Sequence, residues 1–110
     1  MHFVPDDEQA YGIVRTLVDA LPSGSYLGLT SATDDFDPET GARVRAQYAA
    51  GGVQLPTRTH AGTERFFDGL DLVDPGVVQV HLWNPSPGDV SGRDLDPRNV
   101  GVYGGLARKP

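Results

Sequence analysis

The side chains able to do acid, base or metal chemistry are few and scattered. The three histidines, His2, His60 and His81, share no spacing such as i, i+4 that would set two ligands on one helix face, so no metal site is expected. Cysteine is absent, which removes disulfides, thiolate zinc sites and a thiol nucleophile together. Carboxylates do cluster, as Asp34, Asp35 and Asp37 and again as Asp89, Asp94 and Asp96. A catalytic pair needs an apolar pocket to raise one pKa, and the sequence offers none there, so both groups are expected as solvated turn and cap residues. Gly104 and Gly105 lie on a terminal strand with no helix behind them, which fails the context test for a phosphate loop. No G-x-S-x-G elbow occurs. What remains are side chains that matter only through where the fold puts them: His2, Phe3, Asp6, Ser31 and Thr33. Arg58 and His60 are expected in a solvated loop.

The elements that place them follow from periodicity. From Ala10, the residues Ile13, Val14, Leu17, Val18 and Leu21 continue one apolar stripe of 3.6-residue period, which predicts a helix. Asp6 and Gln9 fit its capping arrangement, and Pro22 with Gly24 ends it. The run from Tyr26 to Leu29 in "SYLGLTSAT" reads as a strand covered on both faces, as in parallel sheets. Pro38, with Asp37 as cap, opens a surface helix to about Ala50. Thr59 caps a short helix in "THAGTERFFDG", with Phe66 and Phe67 buried and Gly69 permitting a left-handed exit. Residues 77–83 and 100–107 alternate as two strands, paired antiparallel as a hairpin across an exposed loop from Asn84 to Asn99. Trp83 and Tyr103 are expected to fill a sheet face. His2 to Val4 read as the end of a strand. Helices in the crossovers and an antiparallel final pair make this the second half of a doubly wound α/β sheet.

Composition narrows the function. At 110 residues with a formal charge of -6 and no basic cluster, the chain is one domain whose partner is expected to be a small molecule or another protein, not nucleic acid. No apolar run of about eighteen residues and no basic-then-apolar leader occurs, so no membrane partner is expected and the location defaults to the cytoplasm. The 14 glycines and 9 prolines fall between the periodic segments, where they punctuate a compact fold.

Four segments carry a resemblance: "HFVPDDE", "ALPSGSYLGLTSAT", "RFFDGLDLVDPGVVQVHLW" and "VYGGLARKP". In this order and spacing, the chain resembles the C-terminal half of S-adenosylmethionine-dependent methyltransferases with a Rossmann-like sheet, and more narrowly an actinobacterial S-adenosyl methyltransferase family. The resemblance implies S-adenosylmethionine as cofactor and a small-molecule methyl acceptor. It also implies that the glycine-rich turn after the first strand and the acidic residue ending the second belong to an N-terminal half that this sequence lacks, so the fragment alone is expected to bind the cofactor poorly. By the same analogy His2, Phe3 and Asp6 face the cofactor's reactive end, and Ser31 and Thr33 the substrate side. The competing readings are structural: Phe3 and Val4 plugging the sheet end, Asp6 capping a helix, and Ser31 and Thr33 acting as turn hydroxyls.

Two further expectations stand beside the enzyme. One is a non-catalytic binding module that self-associates through an edge strand near Ser25 to Thr30. The other is that coding sequence continues upstream of Met1, so that the native protein is the complete enzyme.

Overall fold

The computed structural model describes residues 2–83 and 96–110. Helix α1 spans Asp7–Asp19, and the Asp6 carboxylate caps it by accepting from the Gln9 amide at 2.8 Å. Its stripe is only partly used: Ala10, Tyr11 and Val14 are buried, while Leu17 is 61 % exposed. At the far end Lys109 Nζ donates to the carbonyls of Val18 and Leu21 at 2.8 and 2.6 Å, filling acceptors that a helix terminus leaves open. Gly24, at φ +88°, then takes a conformation that a side chain would resist.

Strand β1 is Tyr26–Ala32 and strand β4 is Val102–Arg108. They pair antiparallel over their full lengths, with Leu29 opposite Gly105. Two short strands, β2 at Asp71–Leu72 and β3 at Val78–Gln79, pair with the other side of β4. They read as one strand interrupted at Asp74, Pro75 and Gly76, where Gly76 has φ +81°. The order is therefore β1, β4, then β2 and β3, with the last strand in the middle.

This corrects three expectations. Strand β1 pairs antiparallel with β4 and is not covered on both faces, since Tyr26, Gly28 and Thr30 are exposed. The segment 77–83 holds strand geometry only at Val78–Gln79 and then turns through a 3-10 segment at Val80–Leu82. The buried Gln79 amide donates to the carbonyls of Pro97 and Val100 at 2.8 and 3.0 Å, and Val80 folds over Gly104, where an added Cβ would come within 2.9 Å of its methyl. Lastly, His2 and Phe3 form a turn and no strand; His2 meets β1 through its side chain, at Thr30, and is in none of the described strand pairings. The antiparallel pairing of 77–83 with the last strand is borne out, although short. The expected loop 84–99 falls mainly outside the described residues; its last part is a 3-10 turn at Pro97–Asn99.

Helix α2, Pro38–Ala50, is capped by Asp37, which accepts from the Thr40 amide at 3.1 Å. It buries no side chain, as its weak apolar content predicts. Helix α3, His60–Glu64, follows the Thr59 cap and passes into a 3-10 turn at Arg65–Phe67. The core lies between one face of the sheet and this α1 and 65–67 layer. Ala10, Tyr11, Val14, Phe66, Phe67 and Val77 meet Tyr103 and Ala107 there. Gly105 allows the approach, since a Cβ on it would stand 3.1 Å from the Phe67 ring. The opposite face, with Gly28, Thr30, Gly104 and Leu106, is an open groove roofed in part by Val80 and Trp83. No described helix is long and apolar enough to cross a membrane.

Candidate functional site

Open α/β sheets hold ligands beyond the carboxyl ends of their strands, and the carboxyl end of β1 is where this chain concentrates polar contacts. The backbone there is pinned from two sides. Thr33 N donates to Gly101 O at 2.9 Å and Arg58 N to Ala32 O at 2.8 Å. The Thr33 hydroxyl accepts from the Asp35 amide at 3.0 Å, closing a local turn. The Asp35 carboxylate in turn accepts from the Tyr103 hydroxyl at 2.8 Å and the His60 amide at 3.0 Å. Burial, the hydrogen bond to Asp35 and the charge of Asp35 together push the Tyr103 hydroxyl well above the usual tyrosine range. The His60 ring lies edge-on to Tyr103, with Nε2 2.7 Å from Val77 O and Nδ1 3.0 Å from a Glu64 oxygen.

Arg58 ties this end to the start of α1. Its residue exposure is 4 %. Nε donates to Asp7 at 2.9 Å, the terminal nitrogen to Val4 O at 2.6 Å, and the guanidinium lies 5.3 Å from the centre of the Phe66 ring. Asp34 pairs with Arg45 of α2 at 2.8 Å and accepts from the Thr57 hydroxyl at 3.2 Å. Gly41 permits that arrangement, because a Cβ there would collide with the Asp34 side chain. The expectation of a solvated loop thus fails for Arg58, whose charge is buried and paired, and holds only in part for His60, which is exposed but is the first residue of α3.

The site residues read from the sequence divide by position. His2 and Phe3 stand at the rim, with His2 Nε2 3.2 Å from the Thr30 hydroxyl. Partial burial, then nearby positive charge including Arg58, lowers the pKa of His2. Phe3 is 62 % exposed and its ring lies 6.3 Å from that of Tyr48. Asp6 is the α1 cap. Ser31 is fully buried, its hydroxyl without a hydrogen-bond partner, and Thr33 is buried in its turn. Asp35, Arg58, Tyr103 and Tyr48 join the same end. The partners of Arg58 and Tyr103 are 51 and 68 residues away, beyond the reach of any local pattern. Of the other acidic group, Asp96 caps the last 3-10 turn and pairs with Arg98, while Asp89 and Asp94 lie outside the described residues. Among the described residues no group of three His, Asp or Glu side chains is placed to hold a metal ion.

The S-adenosyl methyltransferase family model matches residues 1–110, the whole chain. The chain belongs to the S-adenosyl methyltransferase family. A DUF574 family protein from Streptomyces avermitilis, solved by crystallography, is 46 % identical with a TM-score of 0.92 over 99 % of this chain. A candidate methyltransferase from Thermobifida fusca is 32 % identical with a TM-score of 0.80 over 98 %. The chain spans about two fifths of each relative, 41 % and 40 % respectively. No curated protein matches the sequence. The mixed α/β fold with its small antiparallel sheet fits a part of the methyltransferase fold, and the family implies the use of S-adenosylmethionine by its members.

Proposed function

We propose that this chain forms the acceptor-side part of a doubly wound, S-adenosylmethionine-dependent methyltransferase acting on a small molecule. The carrying observation is the family match over residues 1–110. In this reading a strand runs into His2 parallel to β1, with α1 as the crossover between them. The contact of His2 with Thr30 supports that placement. The glycine-rich turn and the ribose-binding acid then belong to the part of the fold that the solved relatives have in addition.

When bound, the cofactor would supply a methyl group on a positively charged sulfur for in-line displacement by a nucleophile of the acceptor, the new bond to the methyl forming as the methyl–sulfur bond breaks and a neutral thioether leaves. The residues here fit one wall of such a site. His2 and Phe3 face the rim, and one Asp6 oxygen is used by the cap. Ser31 and Thr33 act from within, by packing and by holding the turn at Asp35. The task of this part is positioning, which can supply several kcal/mol of the barrier reduction, and this accords with the absence of a triad among the described residues.

The test is calorimetric titration of S-adenosylmethionine into the chain alone and into the chain joined to the remaining part of the Streptomyces relative. The expected result is heat of binding for the joined protein and little for the chain alone. A folded joined protein that binds no cofactor would end the enzyme reading. A second reading is favoured by one observation: β1 is an uncharged, proline-free edge strand of seven residues, lacking the devices that protect edges. On that reading the chain is a self-associating module, and its mass in sedimentation rises with concentration.

A further inference from the structure

Helix α2 poses a physical problem. A 13-residue helix that buries no side chain gains little from packing, and propensity alone rarely sustains that length. Its ties to the domain are the Asp34–Arg45 ion pair and the Asp37 cap. It also presents Tyr48, 41 % exposed, toward the rim at the carboxyl end of β1. There the rings of Phe3 and Tyr48 stand 6.3 Å apart at 47°, and His2 adds a third ring 6.4 Å from Phe3 at 54°. Three tilted rings with solvent access do not fill a core. Beside them, Gln47, Tyr48, Gly51 and Val53 line an open groove of about 260 Å³.

Carboxylates outnumber cations in the sequence on either side of this end. The two connections that border it, residues 5–8 and 33–40, hold Asp6, Asp7, Glu8, Asp34, Asp35, Asp37 and Glu39 and no lysine or arginine. Guanidiniums from other elements meet three of them: Arg58 meets Asp7, Arg65 meets Glu8 and Arg45 meets Asp34. Aromatic faces carry negative potential and attract a cation within about 6 Å, most effectively one that sheds water cheaply. An alkylated onium group, sulfonium or methylated ammonium, has that property and lacks donors that would ask for a paired carboxylate.

We infer that His2, Phe3 and Tyr48 form an open aromatic cage for an alkylated onium cation. The cage deepens the methyl-transfer reading and rests on it for the identity of the onium, which is either the sulfonium of the methyl donor or a methylated amine on the acceptor. Partial burial, then nearby positive charge including Arg58, keeps His2 toward its neutral form, so the ring itself adds little charge against a cation.

The test uses choline and its neutral isostere 3,3-dimethylbutan-1-ol, titrated into the chain while the ring protons of Phe3 and Tyr48 are followed by NMR. Choline is expected to shift both rings and the alcohol neither. Tyr48→Leu is expected to weaken choline about 3- to 5-fold, and Tyr48→Phe to restore it; since Tyr48 is half exposed, both variants keep the fold, as far-UV circular dichroism checks. Equal shifts from the alcohol, or equal choline binding by Tyr48→Leu, overturn the cage. In the chain joined to the remaining part of the Streptomyces relative, S-adenosylmethionine and its product S-adenosylhomocysteine, whose sulfur is uncharged, distinguish the sources. If the donor is the onium, Tyr48→Leu weakens the former and not the latter. If the acceptor is, choline still binds with S-adenosylhomocysteine in place. Choline binding by the joined protein with neither adenosyl compound bound upholds the cage and ends the methyl-transfer reading. Adenosyl binding with choline silent does the reverse.

Discussion

Tyr103 and Arg58 show what single side chains contribute to this end of the sheet. The Tyr103 hydroxyl titrates above its ordinary value near pH 10. A raised acid of this kind stabilises the fold fully below that pH, and the contribution is lost as pH rises through the folded value. Tyr103→Phe is expected to cost about 1–2 kcal/mol at neutral pH and to flatten the alkaline loss of stability. Chemical denaturation at pH 7 and pH 10.5 reads both effects; parallel curves for the two proteins would refute the assignment. For Arg58, removal leaves the Val4 carbonyl and the Asp7 carboxylate without their donor. Arg58→Met should therefore cost about 2–4 kcal/mol, measured as a shift of the urea midpoint. Neither role was legible in the sequence. A solvated arginine and a buried one look the same until the chain brings Asp7 and Phe66 to it, whereas Asp6, Asp37 and Thr59 were legible as caps because each accepts from an amide three residues on.

At the scale of elements the same division by distance holds. All three helices were readable, since period and capping are local. The strands were readable as segments, yet their neighbours were not: nothing in "VYGGLARKP" says that β4 lies between β1 and the β2–β3 pieces. Two glycines carry part of that arrangement. Gly105 faces Phe67 and Val77, and Gly104 faces Val80. A Cβ branch at Gly105 would press into the Phe67 ring, so Gly105→Val is expected to destabilise by about 1–3 kcal/mol through overpacking, read as a lower Tm. Gly12, with nothing within 4 Å of a built Cβ, makes the control: Gly12→Ala should stabilise α1 by about 0.5–1 kcal/mol. An equal loss in both variants would mean that packing at Gly105 is not the cause.

For the whole molecule, the asymmetry between its faces bears most on function. One sheet face is closed by α1 and residues 65–67, and the other is an open groove of about 430 Å³ under Val80 and Trp83. Joining the chain to the remaining part of the Streptomyces relative is expected to bury that groove, with a blue shift and increased intensity of the emission of Trp83 in a version where it is the sole tryptophan. Unchanged emission would place the added part elsewhere.

The central position of β4 has a consequence in time as well as in space. Every strand pairing described here is made with residues 102–108, so among the described residues β1, β2 and β3 pair with nothing until those residues have been synthesised. The described sheet must then assemble after residues 102–108 have left the ribosome, with the 13-residue helices α1 and α2 gaining little from propensity alone until it does. A chain ending at Gly101 is expected to lose cooperative thermal unfolding altogether. A protease that reaches β4 would act as an off switch for the described sheet, because every pairing in it runs through that strand.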